Sequence, residues 1–439
     1  GCKMKREEVI GYLESLPRFS DTPGIFREEK LLEYLGNPEK GYPIIHITGT
    51  NGKGSTGAMI ATVLEMSGLK VGFYTSPHLE DYPERIQCNR TKISWTELGE
   101  SIDQVRRAAQ LMDEQEQIRP TEFDVLTAAG FLFFSQSKVD VAIIEVGIGG
   151  TLDSTNVVSP IVSVITNIEE DHLDRCGPTV NDLAEHKAGI IKEGVPVFSS
   201  VKVGALREII RTHAKQLKSE SFFSEEDWIY QGRPNLEELK EQLTFCGKGK
   251  ISKRFDGEYS LSLLGAYQLE NGALAVAVLN YLNDRWPEIC GNIVRGLNKA
   301  RWPGRFEVFF RGKQMVIIDG AHNELGANSL KEALDEWFPN KNRHFVVGFL
   351  EDKDAKKFLE TIYSKNDVIY GVKVDSPRAM TKEKTLELLG EYNSEWFETL
   401  EESLENLVHL EKKSIIVVCG SLYLVGPGRC WVERNFVKA

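Results

Sequence analysis

Three glycines, an asparagine, a lysine and three hydroxyl residues fall within Gly49-Thr50-Asn51-Gly52-Lys53-Gly54-Ser55-Thr56. Glycine takes positive φ without cost and lets backbone N–H groups approach an anion that a Cβ would hold away. Lys53 supplies a point charge for β- and γ-phosphates, and Ser55 or Thr56 offers a hydroxyl to a phosphate oxygen or a magnesium ion. The spacing departs from the common G-x-x-x-x-G-K-[ST] loop, because Ile47 stands at its first glycine and Gly54 follows the lysine. The competing reading is a plain glycine turn. The β-branched run before it and the helical period after it favour a phosphate loop, with a helix N-terminus directed at the anion.

Further along the chain, Ser76, Glu145 and His172 each close a strand-like run: V-G-F-Y before Thr75-Ser76, V-D-V-A-I-I ahead of Glu145, and Ile161 to Thr166 ahead of N-I-E-E-D-H. Hydroxyl, carboxylate and imidazole at the carboxyl edge of one sheet suit Mg²⁺ or Mn²⁺ better than zinc. Taken singly, a glutamate after a buried strand also serves as a hydrogen-bonded carboxylate or a helix cap. Lys187 sits in A-E-H-K-A-G-I, where the plain alternative is a solvated helix lysine. Gln268 and Asn271 share a helix face at i, i+3. Gly304-Arg305 offers an arginine to charge developing in phosphoryl transfer, or else a surface arginine after a turn. Asp319-Gly320-Ala321-His322-Asn323 follows a strand and suits ribose and phosphate contacts, or a simple turn with a helix cap.

The elements needed to position these groups read as α/β. Strands are expected at Ile44–Thr48, Val71–Tyr74, Val139–Val146, Ile161–Thr166 and Val195–Ser199, with helices at 55–67, 94–117, 121–134 and 204–218. Residues 4–40 read as peripheral helices, and 219–260 as a small antiparallel addition. Beyond the helix at 264–282, a linker at 297–300 leads to a second block. There strands at 315–319, 344–350, 367–372 and 414–419 alternate with helices near 326–337, 354–364 and 382–409, which implies another parallel sheet. The expected architecture is a P-loop-type doubly wound parallel sheet domain over 1–296, then a smaller Rossmann-like α/β domain over 301–439.

Composition narrows the partners. The 439 residues are 41% hydrophobic and 27% charged, with a net charge of −12, which disfavours nucleic acid and anionic membranes. Seven scattered cysteines without a C-x-x-C pair argue against a zinc ribbon or a disulfide framework and for a reducing cytoplasm. No apolar run has the length of a membrane span.

Taken together, the strings resemble one family, the folylpolyglutamate synthases with their bifunctional dihydrofolate synthases, within the Mur ligase superfamily. The resemblance is carried by H-I-T-G-T-N-G-K-G-S-T (46–56), Y-T-S-P-H-L (74–79), T-E-F-D-V-L-T (121–127), E-V-G-I-G-G (145–150), Asp171-His172, Lys187-Ala188-Gly189-Ile190, Q-L-E-N (268–271), P-G-R-F-E (303–307), D-G-A-H-N (319–323) and G-S-L-Y-L-V-G (420–426). It implies an ATP-dependent ligase that adds L-glutamate to a folate γ-carboxylate through an acyl phosphate. It further implies that Gly49, Thr50, Asn51, Gly52, Lys53, Gly54, Ser55 and Thr56 hold the phosphates, and that Asn271, Arg305, Asp319 and His322 contact the nucleotide. Ser76, Glu145 and His172 would serve two Mg²⁺ sites, and Lys187 would be carbamoylated; Lys187, His172 and Arg305 are the catalytic set. Thr151 and His186 depart from the family's usual Arg and Glu. A cytoplasmic monomer acting on small molecules is expected, with no nucleic acid or membrane partner. A cell-wall ligase of the Mur type and a non-catalytic nucleotide-binding regulator are the alternatives. The short stretch ahead of the phosphate loop counts against the cell-wall ligase.

Overall fold

A computed structural model describes residues 4–169, 177–351, 354–409 and 414–439, and these divide into two units. The first comprises 1–231, 243–260 and 270–300, and the second 232–242, 261–269 and 301–439.

The first unit is built on an eight-stranded sheet: β1 (Ile44–Thr48), β2 (Val71–Tyr74), β3 (Ile86–Cys88), β4 (Thr91–Lys92), β5 (Val141–Glu145), β6 (Val162–Ile165), β7 (Val197–Ser199) and β8 (Ser221–Phe223). Its order is β4-β3-β2-β5-β1-β6-β7-β8, and the six strands from β2 to β8 run parallel. β3 and β4 add an antiparallel edge. The central strands are buried along their whole length and mostly apolar, as strands of a parallel sheet covered on both faces are. Ser94 and Thr121 start the helices Trp95–Glu116 and Glu122–Gln136 with capping boxes, as their places before apolar periods suggest. On one side Val9, Leu13, Leu31, Leu32, Phe131 and Phe134 pack into a single core. β8, placed by sequence in a separate addition, joins the main sheet beside β7, and Phe198 stacks on Phe222 at 4.5 Å.

Between these strands and the second block lie β9 (Trp228–Asn235), β10 (Lys240–Gly247) and β11 (Gly257–Leu261), a three-stranded sheet through which the division of the chain passes. The expected boundary shifts accordingly. Segments 232–242 and 261–269 group with the second unit. Leu297–Lys299, read as linker, is the end of a helix Ile293–Lys299 with Leu297 fully buried. The apolar spacing of Ile293, Leu297 and Ala300 carries that helix, and the nearby proline and glycines hid it.

The second unit holds β12 (Glu307–Arg311), β13 (Gln314–Ile318), β14 (Asn342–Val347), β15 (Val368–Gly371), β16 (Ser394–Trp396), β17 (Ser414–Cys419) and β18 (Val437–Lys438), in the order β16-β15-β14-β17-β13-β12-β18. Its centre is parallel, as the alternation implied, but β12 pairs antiparallel with both β13 and β18. The helix expected over 382–409 is two, Lys382–Leu389 and Leu400–Leu407, because Gly390 ends the first and β16 intervenes. A further helix, Leu422–Asn435, follows β17. Among the described residues no helix is long and apolar enough to cross a membrane.

Candidate active site

The phosphate loop leaves the carboxyl end of β1, and the helix Lys53–Met66 begins at once behind Gly52. Gly52 is left-handed (φ 82°), and a Cβ there would lie 2.3 Å from Asn271 Oδ1. The structure thus brings together Gly52 and Asn271, two positions singled out far apart in the sequence. Gly49 (φ 149°) is equally confined, since a Cβ would fall 1.7 Å from Thr166 Oγ1.

The loop has two halves. Thr50 and Asn51 turn towards the residues after β6. The Thr50 N–H donates to the Asn167 carbonyl (3.0 Å) and the Asn51 N–H to Asn167 Oδ1 (2.7 Å). Asn51 Nδ2 donates to Glu169 Oε2 (3.1 Å), and Thr166 Oγ1 donates to the Asn51 carbonyl (2.5 Å). Thr50 Oγ1 exchanges hydrogen bonds with the backbone of Glu169. The second half, from Gly52, opens the helix with no side-chain cap of its own, so its N-terminal dipole and N–H groups face outward from the strand end. Thr56 Oγ1 in its first turn is buried without a hydrogen-bond partner. Such an orphan atom fits a site completed by an anion, its metal or their water.

Glu145 ends β5, directly beside Ile47 of β1. It is 4% exposed, and Oε2 accepts from Thr75 Oγ1 and from the Ser76 N–H (3.0 Å). Burial raises its carboxyl above the usual range, while the Lys53 charge, the Thr75 hydroxyl and the Ser76 amide act the other way. Ser76 and Glu145 therefore sit together at the sheet edge next to Lys53, a hydroxyl and carboxylate set suited to a hard cation that shares its shell with phosphate oxygens and water. His172, the third expected ligand, lies outside the described residues. Among the described residues no three His, Cys, Asp or Glu side chains converge as a self-contained metal site.

Lys187 is on the helix Val180–Ala188 and is 4% exposed, so it is no solvated surface lysine. Gly150 packs against its backbone, where a Cβ would meet the His186 carbonyl at 2.4 Å and the Lys187 Cα at 3.2 Å. The departures at 151 and 186 touch one another. Thr151 donates to the His186 carbonyl through both its N–H (2.8 Å) and its Oγ1 (3.0 Å), and Asn156 Nδ2 bridges the carbonyls of Thr151 and Gly189 (3.0 Å each). The loop after Glu145 is thus sewn to the last turn before Lys187.

In the second unit, Asp319 is 2% exposed and spends both oxygens on backbone amides: Oδ1 on Ala321 (2.8 Å) and Oδ2 on Phe306 (2.9 Å). Burial raises its carboxyl, against which the Arg305 charge and these amides act. His322 Nδ1 donates to the Gly320 carbonyl (3.0 Å), while Asn323 caps the helix Glu324–Trp337 through Gly326 (2.8 Å). The string D-G-A-H-N is a turn and a helix cap at once. Nearby, Glu241 Oε1 accepts from the Gly265 N–H (3.1 Å) just ahead of the helix Ala266–Leu282, and burial with the Glu336 charge moves its carboxyl up to about 7.

Sequence reasoning gave no role to Thr75, Asn167, Glu169 or Glu307. Their positions just past strand ends, or at a strand's first residue, were the available signal.

Residues 47–279 match the family described as Mur ligase middle domain, and residues 304–422 that described as Mur ligase, glutamate ligase domain, which sets the class of the fold. A folylpolyglutamate synthase of Lacticaseibacillus casei is 36% identical, with 97% of this chain and 98% of the relative covered. A dihydrofolate synthase/folylpolyglutamate synthase of Bacillus subtilis (strain 168) is 34% identical over 96% and 98%. A solved FPGS–AMPPCP–folate complex superposes with a TM-score of 0.80 at 33% identity, covering 97% of this chain and 99% of that one. The chain belongs to the family of folylpolyglutamate and dihydrofolate synthases within the Mur ligases.

Proposed function

We propose that the chain is an ATP-dependent amide ligase that joins the α-amine of L-glutamate to the γ-carboxylate of a tetrahydrofolate. The observation that carries this reading is the glycine loop of β1 set beside the buried Glu145 and Lys53, in a chain whose relatives include an FPGS complex with AMPPCP and folate. The folate γ-carboxylate attacks the γ-phosphorus, ADP leaves, and the resulting acyl phosphate is attacked by the glutamate amine with release of phosphate. Gly52 to Thr56 hold the phosphates at the helix start, whereas Gly49, Thr50 and Asn51 shape the loop. Ser76, Glu145 and His172 would hold Mg²⁺, with Lys187 contributing oxygen ligands as its carbamate. A bound Mg²⁺ would offset the repulsion between a carboxylate and a phosphate, adding to the charge of Lys53 and Arg305. Asn271, Arg305, Asp319 and His322 are assigned to the nucleotide.

The test is ADP release with ATP, tetrahydrofolate and L-glutamate, reading products by mass. The expected result is ADP formation that requires both substrates and a product one glutamate heavier. ADP release that ignores either substrate would overturn the ligase reading. Dihydropteroate offered in the same assay tests the second activity named for the B. subtilis relative.

A further inference from the structure

The turn that carries Arg305 is left-handed on both sides of it: Gly304 has φ 80° and Phe306, which is not glycine, has φ 43°. A bulky L-residue rarely holds that conformation unless its surroundings impose it. Two of the constraints come from the turn that follows β13, where the Gly320 N–H donates to the Gly304 carbonyl (2.7 Å) and Asp319 Oδ2 accepts from the Phe306 N–H. The third comes from Glu307, the first residue of β12, which is 4% exposed. Its Oε1 accepts from the Gly304 N–H (2.6 Å) and from Arg429 Nε (2.6 Å), and its Oε2 from Arg429 Nη2 (3.1 Å) and Lys438 Nζ (2.6 Å). Arg429 comes from the helix Leu422–Asn435 and Lys438 from β18, so three elements converge on one carboxylate. Burial alone would raise the Glu307 carboxyl, but Arg429 and Lys438 hold it below the usual range and keep it charged.

We propose that Glu307, fixed by Arg429 and Lys438, is a positioning residue whose bond to the Gly304 N–H holds the left-handed turn and thereby aims Arg305. This rests on the reading that Arg305 serves the nucleotide phosphates. A merely structural carboxylate would destabilise the unit without regard to Arg305, whereas a positioning residue acts through it. The two are separated by a double-mutant cycle on the full chain, with kcat and KM for ATP measured and Tm recorded for each variant. Arg305→Ala should lower kcat/KM for ATP by about 10²-fold or more. Glu307→Gln should lower it by about 30-fold, in the range that a small misplacement of a reacting group produces. In the Arg305→Ala background the same change should cost less than about 2-fold, since no side chain is left to aim. Equal losses in the two backgrounds would overturn the proposal. Unchanged kcat/KM in Arg305→Ala would instead overturn the reading of Arg305, a result told apart because it needs only the single variant. Should Glu307→Gln fail to fold, Lys438→Met keeps the Arg429 pair and enters the same cycle, with a smaller loss that must again vanish without Arg305.

Discussion

Two turns in this chain do the same local thing in different ways. In the first unit Gly52, at φ 82°, is followed by Lys53; in the second Gly304, at φ 80°, is followed by Arg305. Each glycine bends the chain into a conformation that side chains avoid and leaves a cation at the bend. The backbone of the first turn is held by neutral groups, the carboxamide and carbonyl of Asn167 and the hydroxyls of Thr50 and Thr166, while the Glu169 carboxylate meets only the Asn51 side chain. The second is held by a buried carboxylate with two cations on it. A neutral latch costs little desolvation and keeps its strength across pH, while a buried ion cluster is costly to assemble and costly to break. The difference teaches that the loop proposed to receive a polyanion is shaped without fixed negative charge in its backbone latch, whereas the arginine turn tolerates Glu307 because Arg429 and Lys438 neutralise it.

The comparison can be broken at either end. The largest effect is expected at Lys187, assigned by the proposed function to the metal: Lys187→Ala should abolish measurable turnover, at least about 10³-fold, while circular dichroism and Tm remain near wild type. Retained activity would remove the carbamate from the scheme. Next, Gly52→Ala forces a Cβ onto Asn271 and into left-handed space, at a cost of about 1–2 kcal/mol, and should raise KM for ATP by roughly tenfold or more in steady-state assays. Asn167→Ala strands the Asn51 N–H. A loss on the order of 1–3 kcal/mol in urea unfolding and a higher KM for ATP are expected, with little change in pH dependence because the latch is neutral. A marked new pH dependence in that variant would blur the contrast drawn between the turns. The smallest effect concerns the second unit's buried acid. Glu241 keeps its proton up to about pH 7 in the fold but releases it near its ordinary 4.5 once unfolded. Its stabilisation is therefore complete below the unfolded value and is lost as pH rises from there through about 7. Urea midpoints of the wild type should fall over that window, and Glu241→Gln should flatten the slope.

Most of the first unit could be read from the chain because its strands are continuous apolar runs punctuated by glycine, and Ser94 and Thr121 announce their helices. The second unit was harder. β18 is two residues long and pairs only at the sheet edge, and β12, although five residues like β1, begins on Glu307 and ends on Arg311, so neither reads as a continuous apolar run. Segments 232–242 and 261–269 look like parts of a local β-addition, and only three-dimensional contacts assign them to the second unit. Within the candidate site, the residues proposed to bind phosphate were visible because glycine, lysine and hydroxyl types are unusual together. Asn167 and Glu169 were not, since what makes them matter is the distance to Thr50 and Asn51 across two strands. Thr151 and His186 were noticed as separate departures from a family pattern, but that one accepts hydrogen bonds from the other could not be read from their 35-residue separation.

The division of the chain has a consequence for biosynthesis. Leu264 belongs to the hydrophobic core of the second unit, with Phe306, Ile317, Leu334 and Phe345, yet it is translated before the helix Ile293–Lys299 that belongs to the first. As the polypeptide leaves the ribosome, neither unit can finish before the other has begun. Every segment of the first unit is made before Arg301, so segments 232–242 and 261–269 must wait for the rest of the second unit, and a fragment begun at Arg301 would emerge with the place of Leu264 unfilled.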